Sequence, residues 1–279
     1  MKFNVFKNIT LISFLCFLPV LAQATLLISP SKVMLEDRQR SQELILINTS
    51  NEPRTYRLSW VERTLSEQGA YISLTKEQAK EHTTSSNMIR FSPKQVQLKP
   101  GQRQIIKLAV RRPKGLEDGE YRSHLKLEAI PDKRVTDSDG TMSMKVKMLF
   151  TYILPVSVRK GSASSQVTIN KIDLYKARDK DDKGQLNVFL ANNSKYSTTG
   201  NLIAYLSDNN GKERVVARHH DFTFYPDLNV TQARLFWVDQ LCKIKGCTGK
   251  LRVAYEGIKK ETGKLLTEYQ MQITPELFK

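Results

Sequence analysis

The chain has 279 residues, 40% apolar and 26% charged, with 13 glycines, 10 prolines, 3 cysteines and a formal net charge of +16. These proportions exclude wholesale disorder, a collagen-like repeat and a disulfide-dense miniprotein, and the length accommodates two domains of ordinary size. In a cytosolic protein an excess of 44 basic over 28 acidic side chains would point to nucleic acid.

The first 24 residues redirect that reading. Lys2 and Lys7 form a positive n-region, Ile9 to Leu21 is an apolar run of 13 residues, and Ala22-Gln23-Ala24 is a small-x-small cleavage signal. The run is shorter than the roughly 20 residues a membrane span needs. Cys16 follows Ser13-Phe14-Leu15, without the small residues that precede a lipidated cysteine. Residues 1–24 are therefore expected to be a cleaved export signal, with no stable membrane insertion of the mature chain, whose charge is then +14. The cations are scattered and form no RNP, helix-turn-helix or zinc-finger pattern, so nucleic acid is not an expected partner.

From Thr25 onward nearly every segment alternates with period two, the signature of half-buried strands. In the first half these are Leu26 to Leu35, Gln42 to Asn48, Thr55 to Glu62, Ile89 to Leu98, Arg103 to Arg111, Tyr121 to Ile130 and Ser143 to Val158. Asn48-Thr49-Ser50-Asn51-Glu52-Pro53, Lys99-Pro100-Gly101-Gln102 and Gly115 to Gly119 supply turns. Seven short strands over this length predict an immunoglobulin-like antiparallel sandwich. Leu74 to His82 breaks the pattern with helix formers and a Thr75/Gln78 capping box, predicting a short surface helix. Pro131 to Gly140 is polar and reads as a loop.

Gly161-Ser162-Ala163-Ser164-Ser165 is a small-residue linker, placing one domain at 25–160 and a second, smaller β-sandwich at 161–279. In the second, strands are expected at Val167 to Tyr175, Gln185 to Asn192, Gly200 to Ser207, Glu213 to Val216, Thr231 to Trp237, Gly249 to Tyr255 and Glu268 to Thr274. The fold class is thus all-β, two immunoglobulin-like sandwiches set at an angle with a cleft between them. Cys242 and Cys247 flank Lys243-Ile244-Lys245-Gly246, a hairpin-sized loop that an oxidising compartment would close as a disulfide. A zinc site with His219 and His220 is the alternative, but its spacing fits no common zinc pattern.

No catalytic constellation is legible. The four histidines, at 82, 124, 219 and 220, stand in no nucleophile-elbow, zincin or phosphate-cradling context. Adjacent His219 and His220 would point to opposite faces of a strand. Asp181-Asp182 lies in a charged turn. Neither an enzymatic activity nor a cofactor is expected.

Residues 142–154 stand out. Met142, Met144, Val146, Met148, Phe150, Tyr152 and Leu154 form one continuous apolar face of a run that, fully extended, would span about 43 Å. One reading makes this half of the strand ordinary core, with methionine as adaptable filler. The other makes it an open edge that lends alternating side chains to a partner lacking a strand, with Lys145 and Lys147 as gatekeepers against aggregation.

Several motifs accompany that strand in a fixed order. They are Ile28-Ser29-Pro30-Ser31-Lys32-Val33, Ile47-Asn48-Thr49-Ser50, Leu98-Lys99-Pro100-Gly101-Gln102, Gly119-Glu120-Tyr121-Arg122-Ser123-His124-Leu125 and Leu154-Pro155-Val156. Together they resemble the PapD-like periplasmic chaperones of the chaperone–usher pathway, most closely in the first domain, and look like the archaic branch. The resemblance implies a periplasmic chaperone that completes pilus or fimbrial subunits by donor-strand complementation and passes them to an outer-membrane usher. Met142, Met144, Val146 and Met148 would be the donor side chains of its G1 strand. In this family a basic pair in the cleft anchors the subunit's C-terminal carboxylate. Lys32 matches the first anchor position. Where the second is expected alignment from the proline gives Phe150, leaving Lys147 and Arg122 as the alternatives. Self-association through the same edge is a further expectation. A surface-exposed adhesive or structural β-sandwich protein is the competing reading, and an exported polyanion- or carbohydrate-binding module, resting on the charge, is a third.

Overall fold

The computed structural model describes residues 25–66, 69–131, 148–207, 211–258 and 261–279. The export signal, three of the donor residues (Met142, Met144 and Val146) and the cations Lys145 and Lys147 lie outside them.

The regular structure of the described chain is almost entirely strand, in two units with separate apolar cores. In the first, a four-stranded sheet has the order β1 (Leu26–Ser29), β3 (Ser41–Asn48), β9 (Arg103–Val110), β7 (Ile89–Ser92). Facing it is a five-stranded sheet in the order β2 (Val33–Leu35), β11 (Thr151–Lys160), β10 (Gly119–Ile130), β4 (Arg54–Val61), β8 (Gln95–Leu98). Alternation does the packing: Leu44 and Leu46, Ile106 and Leu108, Leu125 and Leu127, and Leu154, Val156 and Val158 all point into one core.

The sequence reading needs correction at several points here. Leu26 to Leu35 and Ile89 to Leu98 are each two strands, broken at Ser29-Pro30 and Ser92-Pro93, and at each break the chain crosses from one sheet to the other. Proline lacks the ladder N–H, so a strand that contains one readily ends there. The helix expected at Leu74 to His82 is a single 3-10 turn, Gln78–Glu81. Its capping box is nevertheless formed, Thr75 N–H donating to Gln78 Oε1 (2.9 Å) and Gln78 N–H to Thr75 Oγ1 (3.3 Å). Of the strand expected from Ser143 to Val158, residues up to 147 lie outside the described ones; within them the ladder runs Thr151–Lys160, with 148–150 not in it. Finally, β5 (Arg63–Leu65) and β6 (Tyr71–Ser73) form a separate hairpin that the periodicity did not disclose.

The second unit is one continuous seven-stranded sheet. Its order is β12 (Val167–Tyr175), β13 (Gln185–Asn192), β16 (Val230–Trp237), β15 (Glu213–Phe224), β14 (Thr198–Ser207), β17 (Gly249–Gly257), β18 (Leu265–Ile273). The sheet curls until β12 and β18 lie against each other, enclosing a core that includes Leu186, Leu202, Phe224, Leu235 and Tyr255. Phe278 bridges Leu174 on β12 and stacks on Trp237. The loop that carries the cysteines includes a short helix, Gln240–Ile244, capped by Asp239 Oδ1 on the Cys242 N–H (2.9 Å). Cys242 and Cys247 are disulfide-bonded, both buried in this core.

Candidate functional site

The second unit sits on the outer face of β10 and β11. On β10, Ser123, Leu125 and Leu127 are buried on the core side, and Glu120, Arg122 and His124 alternate with them. All three are buried, because the second unit or the β5–β6 hairpin covers that face. Their cross-strand partners on β11 are Arg159, Ser157 and Pro155.

Among the described residues, polar contacts join the units at three places along β10 and the start of β2. At the linker end, buried Glu120 accepts from Arg159 Nε (3.0 Å) and from both the backbone N–H (3.0 Å) and hydroxyl (2.7 Å) of Ser197. Arg159 Nη2 donates in turn to the Ser197 carbonyl (2.7 Å), and Tyr196 donates its hydroxyl to the Lys160 carbonyl (2.7 Å).

Next along β10, Arg122 pairs with Asp227 on the β15–β16 connection and lies 3.8 Å from the Tyr225 ring centroid. These side chains are 4% and 14% exposed. Breaking a pair this deep costs on the order of 3–5 kcal/mol, since a charge is left without its partner. Burial pushes the Tyr225 hydroxyl well above the ordinary tyrosine range. Beside it His124 is pushed down to about 3, first by burial and then by the charges of Arg122 and Arg63. Neither His124 ring nitrogen has a hydrogen-bond partner among the described residues, and Tyr71 of the hairpin closes over the imidazole edge to face at 5.3 Å.

The third contact is Lys32, just before β2. Its ammonium donates to Asp221 Oδ1 (2.9 Å) and Thr223 Oγ1 (3.0 Å) on β15, and Thr223 is hydrogen-bonded to Thr199 (3.0 Å). Cavities of about 500 and 390 Å³ open on either side, and Lys32, Pro155, Thr223 and Tyr225 line both. The lysine bridge thus partitions the cleft.

Lys32 and Arg122 therefore both reach the cleft, and each already holds a carboxylate of the second unit. Lys147, the other anchor alternative, is outside the described residues. Met148 is described and is 68% exposed; Leu149, Phe150 and Ile153 continue an apolar surface from it. On its free side β11 pairs with β2 through Val156–Val158, and among the described residues its outer edge from Thr151 to Pro155 carries no strand. A proline within a strand is tolerated at such an edge.

Sequence reasoning did not single out Asp221, Asp227, Tyr225, Glu120, Arg159 or Ser197. The only local signal was chemical: Glu120 and Arg122 are charged residues in an otherwise strand-like run.

No protein-family model matches the chain, and no curated protein matches it. Among solved structures, the Pseudomonas aeruginosa CupB2 chaperone matches with a TM-score of 0.45 at 12% identity, covering 88% of this chain and 98% of that one. The CsuC–CsuE chaperone–tip adhesion subunit pre-assembly complex from archaic chaperone-usher Csu pili of Acinetobacter baumannii gives 0.43 at 16%, covering 90% and 99%. The E. coli chaperone DraB gives 0.44 at 11%, covering 89% and 98%.

Proposed function

We propose that this protein is a periplasmic chaperone of the chaperone–usher type, which binds pilus or fimbrial subunits by strand donation and delivers them to an outer-membrane usher. The observation that carries the reading is the β11 edge at Thr151–Pro155, unpaired among the described residues and continued by exposed Met148, Leu149 and Phe150. An open edge supplies backbone donors and acceptors, and alternating side chains supply pockets with their contents. Lys32 lies beside this edge at Pro155, where a charge-assisted bond to a terminal carboxylate would set the register of the added strand. The donor residues are then Met142, Met144, Val146 and Met148, with the cleaved signal delivering the chain to the periplasm. Activity is binding, with no bond made or broken.

The test is purification of the tagged protein from periplasm with mass-spectrometric identification of what accompanies it. Wild type should bring down a strand-deficient pilus subunit, and Met148→Asp/Phe150→Asp should lose it while melting as wild type does. An unchanged complex in that variant overturns strand donation through this edge.

A further inference from the structure

Resting on the anchor role just proposed for Lys32, we infer that Asp221 is a specificity-determining residue: its carboxylate occupies the anchor as a stand-in for the client's terminal carboxylate and must be displaced for capture. Two independent features single it out. The first is the contrast between the cleft ion pairs. Arg122–Asp227 is sealed under Tyr225, whereas Lys32 is 24% exposed and Asp221 53% exposed. A wet pair is held loosely and exchanges partners; a dry one does not.

The second is the backbone. Asp221 has φ of 54°, the left-handed region, and is the only non-glycine among the described residues at positive φ. It sits where the β14–β15 register slips, so that His220 and Asp221 together oppose Asn201. The bulge is held by Asn201, whose side-chain oxygen accepts the Asp221 N–H (3.1 Å). A bulge re-aims a side chain, and here it points a carboxylate at Lys32. Left-handed backbone at a residue with a Cβ is retained where the surroundings impose it, often at ligand sites.

The chemical consequence is selectivity. A tethered carboxylate competes at an effective concentration on the order of millimolar, so small free carboxylates at lower concentration are excluded. A client wins because its carboxylate arrives attached to a strand that also pairs with β11. The anchor is thereby reserved for chain ends.

The probe is a synthetic hexapeptide of alternating valine and threonine ending in a free carboxylate, with its C-terminal amide as twin, titrated by NMR. Wild type should prefer the carboxylate form, and Lys32→Ala should abolish the preference. Asp221→Asn and Asp221→Gly, both compatible with positive φ, should bind the carboxylate peptide about threefold tighter, the scale of one exposed pair, with the amide unchanged. If wild type discriminates and Lys32→Ala does not, yet both Asp221 variants equal wild type, the stand-in role is overturned while the anchor survives. If wild type fails to tell the twins apart, the anchor role of Lys32 falls and the inference with it.

Discussion

Glu120 and Arg159 face each other across the β10–β11 ladder, and their ion pair closes on Ser197 of the second unit. The pair is a first-unit feature to whose Glu120 Oε2 the second unit adds the N–H and hydroxyl of Ser197. It therefore couples the stability of the units to their relative orientation.

Glu120→Leu should cost about 3 kcal/mol, the range for removing one partner of a buried pair. Adding Arg159→Met should recover part of that loss, because two apolar side chains need no compensation. Urea denaturation of the single and double variants checks this; a double variant weaker than the single would show that Arg159 stabilises the junction independently of Glu120.

His124 makes stability pH-dependent in a defined direction. Its folded value of about 3 lies below the unfolded value near 6.5, so the unfolded chain takes up a proton that the folded chain refuses. Stability should fall as pH drops from 6.5 toward 3, by up to about 1.4 kcal/mol per pH unit from this group. His124→Gln should flatten the dependence between pH 6.5 and 5, as followed by denaturation at each pH.

Asn48 ends β3 fully buried, donating to the carbonyls of Glu52 (2.8 Å) and Leu98 (3.0 Å) and accepting from the Ser50 N–H (3.1 Å) and hydroxyl (2.7 Å). Asn48→Ala leaves the Leu98 carbonyl without this buried donor and should cost roughly 2–3 kcal/mol. Thermal melting of the variant measures it; a change below about 0.5 kcal/mol would mean that water replaces the side chain there.

Reducing Cys242–Cys247 should lower stability by about 2 kcal/mol, the loop-entropy value for so short a ring. Hydrogen exchange should increase around Gln240–Ile244 and Phe278 and stay unchanged at Arg122 and Lys32, which belong to the first unit. Exchange that rises equally in both units would indicate that the ring supports more than its own core.

Period two disclosed most of the strands, because alternation is a local property that any half-buried strand must show. What it missed depends on partners distant in sequence. Leu26–Ser29 and Val33–Leu35 look continuous in sequence, yet their ladders are with β3 and β11 in different sheets. Lys32 was legible through its motif, but Asp221 lies 189 residues away and Asp227 lies 105 from Arg122. No spacing rule connects them, and the bulge that aims Asp221 follows from a register slip invisible in the order of residues. The β5–β6 hairpin was missed because its strands have three residues each, too few to establish a period.

The seven-stranded sheet of the second unit meets itself, with β12 against β18 and Phe278 fastening the seam. Among the described residues β12 and β18 remain edge strands with no ladder between them, but they shield each other and the chain end bonds to β12 at Leu174 and Lys176, which leaves little border at which a foreign strand can join. If β11 recruits chains, growth cannot readily continue from the other half of the molecule, so the product is a terminated pair rather than a fibre. The rolled sheet acts as a stopper: it fixes stoichiometry through geometry, a role separate from that of Asp221 on its β15 strand.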